Sequence, residues 1–552
     1  MAAALSLATA LALSAVGAVG DAPPRLTLTL AERTPVFSPY IGWLNTSSWG
    51  GQQPPQTKAS GYSVRIPAVI SSGPLVVAFA QGLIQGCGFA PRPSMYCAKD
   101  IISRRSLRGG VAGSWEPVRV AVSAASVVDP RDSLDNPSPV FERHSGALFL
   151  LFTRQPYALN TIAAMELNPY ARETWVARSG DGGRTFSPAI NITHVQRRTW
   201  TWYSTSPGRA AIQLSGGRLV VPGYHIHDSH PNRTRNPDWG MRPMFGHTII
   251  SDDFGKSWRA GASEGPLNVD ENQAVALPSP GGAPCVGELC PNSTRLMINA
   301  RNDGLCINPG TGPDSGLGCR ARAVSDNGGD SFEELLPIPT LPEKQPTCGG
   351  LTRWGPYVFF SGVESTNLMR RNITLRYSRD DGASFEPERL VLRLGSGEYS
   401  ALAIVPTKDG ELTHDRFDIA CLEYSPWESG RYTHSSDISL IRVNVRSGLP
   451  KSDDDAVPAS SSNAHLRWSS SYDTDFPTMR GTINMGLNAD QFQFPAGRCT
   501  PNTPGPTGCG LRAKLAAWEQ FGKSPRHCYH LGCILQRVPQ QIDCAPRHCG
   551  QG

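Results

Sequence analysis

The chain has 552 residues, of which 18% are charged and 39% hydrophobic, and it carries 56 Gly and 47 Pro. That apolar share supports a packed core, and glycines without a strict period exclude a collagen-like or disordered chain. A net charge of +5 with no basic block argues against a nucleic-acid partner.

Taken from the N-terminus, Met1 to Gly20 is almost wholly apolar and closes on small residues before Asp21. This reads as a secretory signal over 1–20, followed by a lead-in over 21–60. No other stretch approaches the ~20 apolar residues of a membrane helix, so no integral membrane segment is expected after signal cleavage. The 14 cysteines suit an oxidising compartment, and close spacing suggests Cys87 with Cys97, Cys285 with Cys290, and Cys306 with Cys319. N-x-S/T triplets at Asn45, Asn191, Asn232, Asn292 and Asn372 agree with a secreted or lumenal protein.

The middle of the chain is organised by a repeat. Ser179-Gly-Asp181-Gly-Gly183-Arg-Thr-Phe186 recurs from Ser251 to Trp258, from Ser325 to Phe332 and from Ser378 to Phe385. Asn327 stands where the other copies have Asp, and a degenerate copy begins at Ser106 and closes on Trp115. Asp and Gly build a tight turn, Gly taking positive φ, and the closing aromatic packs beneath it. Strand-like runs such as Arg218 to Pro222 flank the copies. A hairpin turn returning every ~70 residues with strands between predicts an all-β, six-bladed β-propeller over residues 61–447.

This repeat resembles the Asp box of the exo-α-sialidase (neuraminidase) family, and further segments extend the resemblance. Arg65 lies in Tyr62-Ser-Val-Arg-Ile-Pro67, similar to F/Y-R-I-P. Arg301 lies in Ile298-Asn-Ala-Arg-Asn302, similar to N-A-R-N, and Arg376 immediately precedes the last box. The resemblance implies that Arg65, Arg301 and Arg376 clamp the carboxylate of a sialic acid, a task that suits planar guanidinium groups. Ser396-Gly-Glu-Tyr-Ser-Ala-Leu402 resembles S-G-Y-S-S-L and nominates Tyr399 as nucleophile. Sialidases use Tyr where most glycosidases use a carboxylate, which the substrate's own charge would repel.

Glu271, in Val269-Asp-Glu-Asn-Gln273, matches the family's activating base, and Glu423 matches the glutamate that orients the first arginine. Asn136-Pro-Ser-Pro-Val140 and the segment Trp200 to Gly208 also match. The latter places Trp202 and Tyr203 beside the sugar pocket, with a packing role as the alternative. The family's acid/base Asp falls on Met95 by gapless counting, and no Asp or Glu occurs between Ala80 and Lys99. Asp100 matches a second, usually structural, family Asp and is the candidate acid if the loop is longer than usual.

Beyond the repeats, residues 448–463 have a linker composition, and 464–552 read as a small Cys-rich C-terminal extension. Its Cys528-x4-Cys533 and Cys544-x4-Cys549 spacings favour disulfides over zinc, and Leu511, Leu515 and Trp518 suggest one amphipathic helix. The expected function is a retaining exo-α-sialidase acting on sialylated glycans without metal or cofactor. The alternative is a non-catalytic sialic-acid-binding propeller, because the acid/base Asp is not clearly present.

Overall fold

The computed structural model describes residues 23–37, 63–83, 98–157, 171–197, 199–227, 244–262, 269–302, 320–343, 346–364, 370–424, 427–428, 431–432 and 437–447. The signal, the linker, the Cys-rich extension, Cys87, Cys97, Cys306, Cys319, Asn45, Asn232 and the Trp202 side chain lie outside the described residues.

The all-β expectation holds. Leu26–Phe37 (β1) comes first in the chain. The first group of strands is β2 (Ser63–Ser72), β3 (Leu75–Leu83), β4 (Lys99–Ser106) and β5 (Arg119–Val122). After the short helix α1 (Ala124–Val127) come β6 (Ser133–Glu142), β7 (Ala147–Gln155), β8 (Glu173–Ser179) and β9 (Ile190–Asn191). These two groups count as one eight-stranded sheet only through a parallel bridge between Lys99 and Ser133.

The third group is β10 (Trp200–Thr205), β11 (Ile212–Gln213), β12 (Leu219–His227), β13 (Met244–Ser251) and β14 (Arg259–Ala260). The fourth is β15 (Asn272–Ala276), β16 (Leu296–Arg301), β17 (Arg320–Ser325) and β18 (Leu336–Pro337). The fifth is β19 (Gly350–Trp354), β20 (Tyr357–Val363), β21 (Arg371–Ser378) and β22 (Leu390–Ser396). The last sheet holds β23 (Ser400–Val405), β24 (Arg416–Tyr424) and β27 (Ile438–Ser447), while β25 (Trp427–Glu428) and β26 (Arg431–Tyr432) form a ladder of their own.

The outer strand of that last sheet is β1, antiparallel to β27 with Leu26 opposite Ser447. Part of the segment read as a lead-in is therefore a strand of the body. The first strands touch in a ring: β2 meets β6 and β23, β6 meets β10 and β11, β11 meets β15, and β15 meets β19, which meets β23. Strands inside such a ring are covered on both faces by neighbouring sheets. That is why β7 and β23 are apolar-rich and buried along their whole length. β1, at the rim, instead alternates exposed and half-buried positions over its first half.

The repeats form near-identical turns. Ser179 Oγ donates to Asp181 Oδ1 at 2.7 Å and accepts the Gly183 N–H at 2.8 Å, and Thr185 Oγ1 closes on Asp181 Oδ2 at 2.6 Å. The pattern returns at Ser251 and Ser378. Asn327 does the same work with its amide oxygen and adds a bond from Nδ2 to Ser331 Oγ at 2.8 Å. At the degenerate copy, Ser106 Oγ accepts the Gly110 N–H and pairs with Ser114 Oγ in place of a carboxylate.

The closing aromatics reach the preceding group. Phe186 packs edge-on against Phe79 and Trp258 against Phe149. Gly255, at φ +84, shows why this turn needs glycine: an added Cβ would stand 2.2 Å from the Phe149 ring.

Every box follows the strand that lies third across its group, which in the third group is β13, because β10 and β11 both pair with β12. Within a group the first and third strands run parallel, so the boxes mark one end of the body. The starts of first and third strands and the ends of second strands share the other end. The site is built there.

Candidate active site

Four of the expected residues come together at the end away from the boxes. Arg65 stands near the start of β2, Asp270 and Glu271 directly before β15, Arg301 at the end of β16, and Tyr399 directly before β23. Arg301 Nη1 donates to Glu271 Oε2 at 2.9 Å, and its Nε lies 3.3 Å from Asp270 Oδ2. The backbone reinforces this pairing, with Arg301 N–H donating to Glu271 O and Asp270 N–H to Arg301 O.

Tyr399 is buried, 6% exposed, with two guanidinium groups over its ring: Arg65 at 5.8 Å and Arg370 at 5.9 Å from the centroid. Burial pushes its phenol up and the Glu271 charge pushes it further, while Arg370, Arg301 and Arg65 pull it down. The net effect holds the phenol above its ordinary value, so Tyr399 needs a base beside it to lose its proton.

Sequence reasoning missed several members of this cluster. Arg370 directly precedes β21, and Glu398 precedes Tyr399; Glu398 Oε2 lies 3.8 Å from Arg65 and 3.5 Å from Arg370. Lys99 Nζ donates to Asp135 Oδ1 at 2.7 Å, and Gln81 and Ser133 donate to the same oxygen. Burial lowers Lys99, Asp135 opposes this, and Arg65 adds to it, so Lys99 shares the arginine field. Burial raises the Tyr224 phenol, and Asp270 and Glu271 add to the shift.

Other expected residues are placed elsewhere. Arg376 sits at the box end of β21, where Nη1 donates to the carbonyls of Glu386 and Pro387 and Nη2 lies 3.4 Å from Glu364. Its backbone is six positions along the strand from Arg370, about 20 Å at ~3.3 Å per residue, although its side chain reaches back to Glu364. Glu423, wholly buried, is engaged by Arg33 and by Arg393 at 3.1 Å rather than serving Arg65. Since Arg393 Nε also donates to Ser396 O, Glu423 braces the connection that carries Tyr399. Tyr203 stacks on His247 and, farther off, Trp200, with centroids 4.5 and 6.0 Å away, in the apolar core between the second and third groups. It packs and does not line the site.

Asp100 faces away from Lys99, as alternation along β4 requires, and accepts the Ala124 N–H at 2.7 Å. It caps a turn and is not brought to Tyr399. Burial pushes its carboxyl up to about 6, outweighing the bonds from Ala124 and Ser123. The folded state therefore binds a proton that the unfolded chain releases near pH ~4, so the contribution of Asp100 to stability falls as pH rises from about 4 and levels above about 6. The loss reaches about 3 kcal/mol for a shift of this size. Asp100→Asn is expected to flatten that decline, read as denaturation midpoints at acid and neutral pH; an unchanged pH profile would contradict the assignment.

A cavity of about 270 Å³ lies at the box end of the first strands, lined by Ser71, Val140, Arg209, Gln213, Thr352 and Ile404 among others. It contains none of the expected site residues. Among the described residues no helix is long and apolar enough to cross a membrane, and no group of three or more His, Cys, Asp or Glu is placed to hold a metal ion. Cys285 and Cys290 form the expected disulfide, whereas Cys348 and Cys421 are buried free thiols. Asn191 and Asn292 are exposed.

Residues 97–413 match the family described as BNR repeat-like domain. Sialidase-4 of Mus musculus is 26% identical over 302 residues, covering 53% of this chain and 55% of that protein. The sialidase of Micromonospora viridifaciens is 27% identical over 356 residues, covering 62% and 48% respectively. The chain thus spans about half the length of the curated relatives it matches. Among solved structures, Hadza microbial sialidase Hz136 aligns at 19% identity with a TM-score of 0.49, covering 69% of this chain and 65% of that one.

Proposed function

This chain belongs to the BNR repeat-like domain family, and from that premise we propose that it is an exo-α-sialidase releasing terminal sialic acids from glycoproteins, glycolipids or oligosaccharides. One observation carries the reading: Tyr399 lies under Arg65 and Arg370, in the field of a Glu271 held by Arg301. Arg65 and Arg370 receive the sugar carboxylate, with Arg301 completing the cationic wall. Guanidinium groups suit this because each offers paired N–H donors to a carboxylate.

In the first step Glu271 takes the phenolic proton and the Tyr399 oxygen bonds to the anomeric carbon as the bond to the aglycone oxygen breaks. In the second, water attacks that carbon and loses a proton to solvent, and the bond to Tyr399 breaks as Glu271 returns its proton to the phenol oxygen. Sialic acid leaves with net retention, the aglycone oxygen having taken its proton from solvent. Among the described carboxylates of this cluster, Asp270 and Glu271 are paired with Arg301, and Glu398 stands loosely between Arg65 and Arg370. An aryl sialoside, whose phenolate departs without a proton, is therefore the substrate that tests this site most cleanly. Secretion or lumenal residence belongs to the same proposal and is supported by the Cys285–Cys290 disulfide.

The purified full chain is expected to release a fluorogenic aglycone from an aryl α-sialoside; no release under any buffer condition would overturn the proposal. The placement of the third arginine gives a sharper comparison. Arg370→Ala is expected to raise KM about 10–100-fold, the worth of a charge-assisted pair to a carboxylate. Arg376→Ala should leave KM within about twofold and lower stability by about 1–3 kcal/mol, since two carbonyls and Glu364 lose their donor. The reverse pattern would restore Arg376 to the clamp.

A further inference from the structure

Glu398 is the residue that makes Ser396-Gly-Glu-Tyr-Ser-Ala-Leu402 one longer than the S-G-Y-S-S-L it resembles. The fold holds it firmly. Its N–H donates to Tyr424 O at 2.9 Å, its carbonyl accepts from Thr347 Oγ1 at 2.7 Å, and the Gly397 N–H before it reaches Arg370 O at 3.3 Å. So fixed, the side chain directs one carboxylate oxygen between the two guanidinium groups that flank Tyr399. Oε2 lies 3.5 Å from Arg370 Nη1 and 3.8 Å from Arg65 Nη2, is buried, and makes no hydrogen bond among the described residues.

These separations decide what the contact can do. A charge-assisted N–H···O bond closes to ~2.7–2.9 Å. At 3.5 and 3.8 Å the arginines feel the carboxylate's charge without being geometrically satisfied by it. Glu398 is thus a loose counter-ion that a better-placed carboxylate can displace.

We propose that Glu398 is a specificity-determining residue, an intramolecular carboxylate that competes with the substrate carboxylate for Arg65 and Arg370. The proposal rests on the sialidase reading, in which those two arginines bind the sugar acid. Glu398 neutralises part of the cationic site when it is empty, and it weakens every anionic ligand by the work of separating it from the pair. Neutral ligands escape this competition because they do not address the clamp.

The test is calorimetric titration of the full-length chain with N-acetylneuraminic acid and with its neutral methyl ester, in wild type, Glu398→Gln and Glu398→Ala. The free acid is expected to bind both variants about 10–100-fold tighter than wild type, while affinity for the ester moves less than about threefold. Gln keeps the side-chain length and Ala removes it, so agreement between the two excludes a steric cause. Thermal unfolding confirms that each variant is folded. Equal or weaker binding of the acid by both folded variants, with wild type still binding and hydrolysing sialosides, overturns the role of Glu398 and leaves the sialidase reading standing. Failure of wild type and both variants to bind the acid overturns that reading, and the Glu398 proposal with it.

Discussion

Tyr399→Phe is expected to lower turnover of an aryl sialoside by at least about 10³-fold while leaving affinity for sialic acid within about twofold. The substitution removes one oxygen. The ring remains, buried beside Tyr424 and under the Arg65 and Arg370 guanidinium groups, so the cationic wall keeps its support. What disappears is the atom that bonds the anomeric carbon, and no described neighbour can replace it, because Asp270 and Glu271 are tied to Arg301. Stability should hardly change: burial already disfavours the ionised phenol, so the folded state gains nothing from its charge. Initial rates and ligand titrations on the same preparation separate the two effects. A loss of binding equal to the loss of rate would make Tyr399 a structural residue.

Arg320→Met carries the largest expected cost in stability, about 3–5 kcal/mol, because it leaves a buried carboxylate without its partner. Arg320 Nε donates to Glu343 Oε2 at 2.6 Å, and both side chains are essentially unexposed. Burial lifts the Glu343 carboxyl even with the Arg320 charge opposing it. The same guanidinium donates to the carbonyls of Thr347 and Cys348, and Thr347 Oγ1 in turn holds Glu398. Loss of Arg320 should therefore slow turnover as well as shift the denaturation midpoint. Arg320→Met with Glu343→Leu should recover most of the stability, since no buried charge remains. A single-mutant cost below about 1 kcal/mol would contradict the buried-pair description.

The boxes were legible because each is a local device: Ser, Asp and Gly within five residues satisfy one another's backbone, and the glycines carry positive φ. Their recurrence was enough to predict an all-β body. The role of β1 was not legible, since its partner β27 lies some four hundred residues away and nothing local marks it as the closing strand. At the site, the residues that the structure brings together, Arg65, Glu271, Arg301 and Tyr399, stand where segments enter or leave a strand at one end.

Arg376 went astray through its neighbourhood. Being next to a box places a residue's backbone toward the end of its strand away from Tyr399, whereas Arg370, at the strand's start, stands over the Tyr399 ring. Asp100 and Tyr203 differ from the expectation by face rather than by end: alternation turns Asp100 toward α1 and stacks Tyr203 into the core. For Glu423, the missing information was tertiary. Arg33 comes from β1, and it and Arg393 are the residues that engage the buried Glu423 carboxylate among the described residues.

The most direct measurement is covalent trapping. The full-length protein is incubated with a 2,3-difluorosialic acid, which slows the second step more than the first, and is then examined by intact mass and peptide mapping. A stoichiometric sialyl adduct on the peptide containing Tyr399, absent from Tyr399→Phe, is the predicted result. No adduct from a folded wild type that turns over an aryl sialoside, or an adduct mapped to another residue, would contradict Tyr399 as the nucleophile.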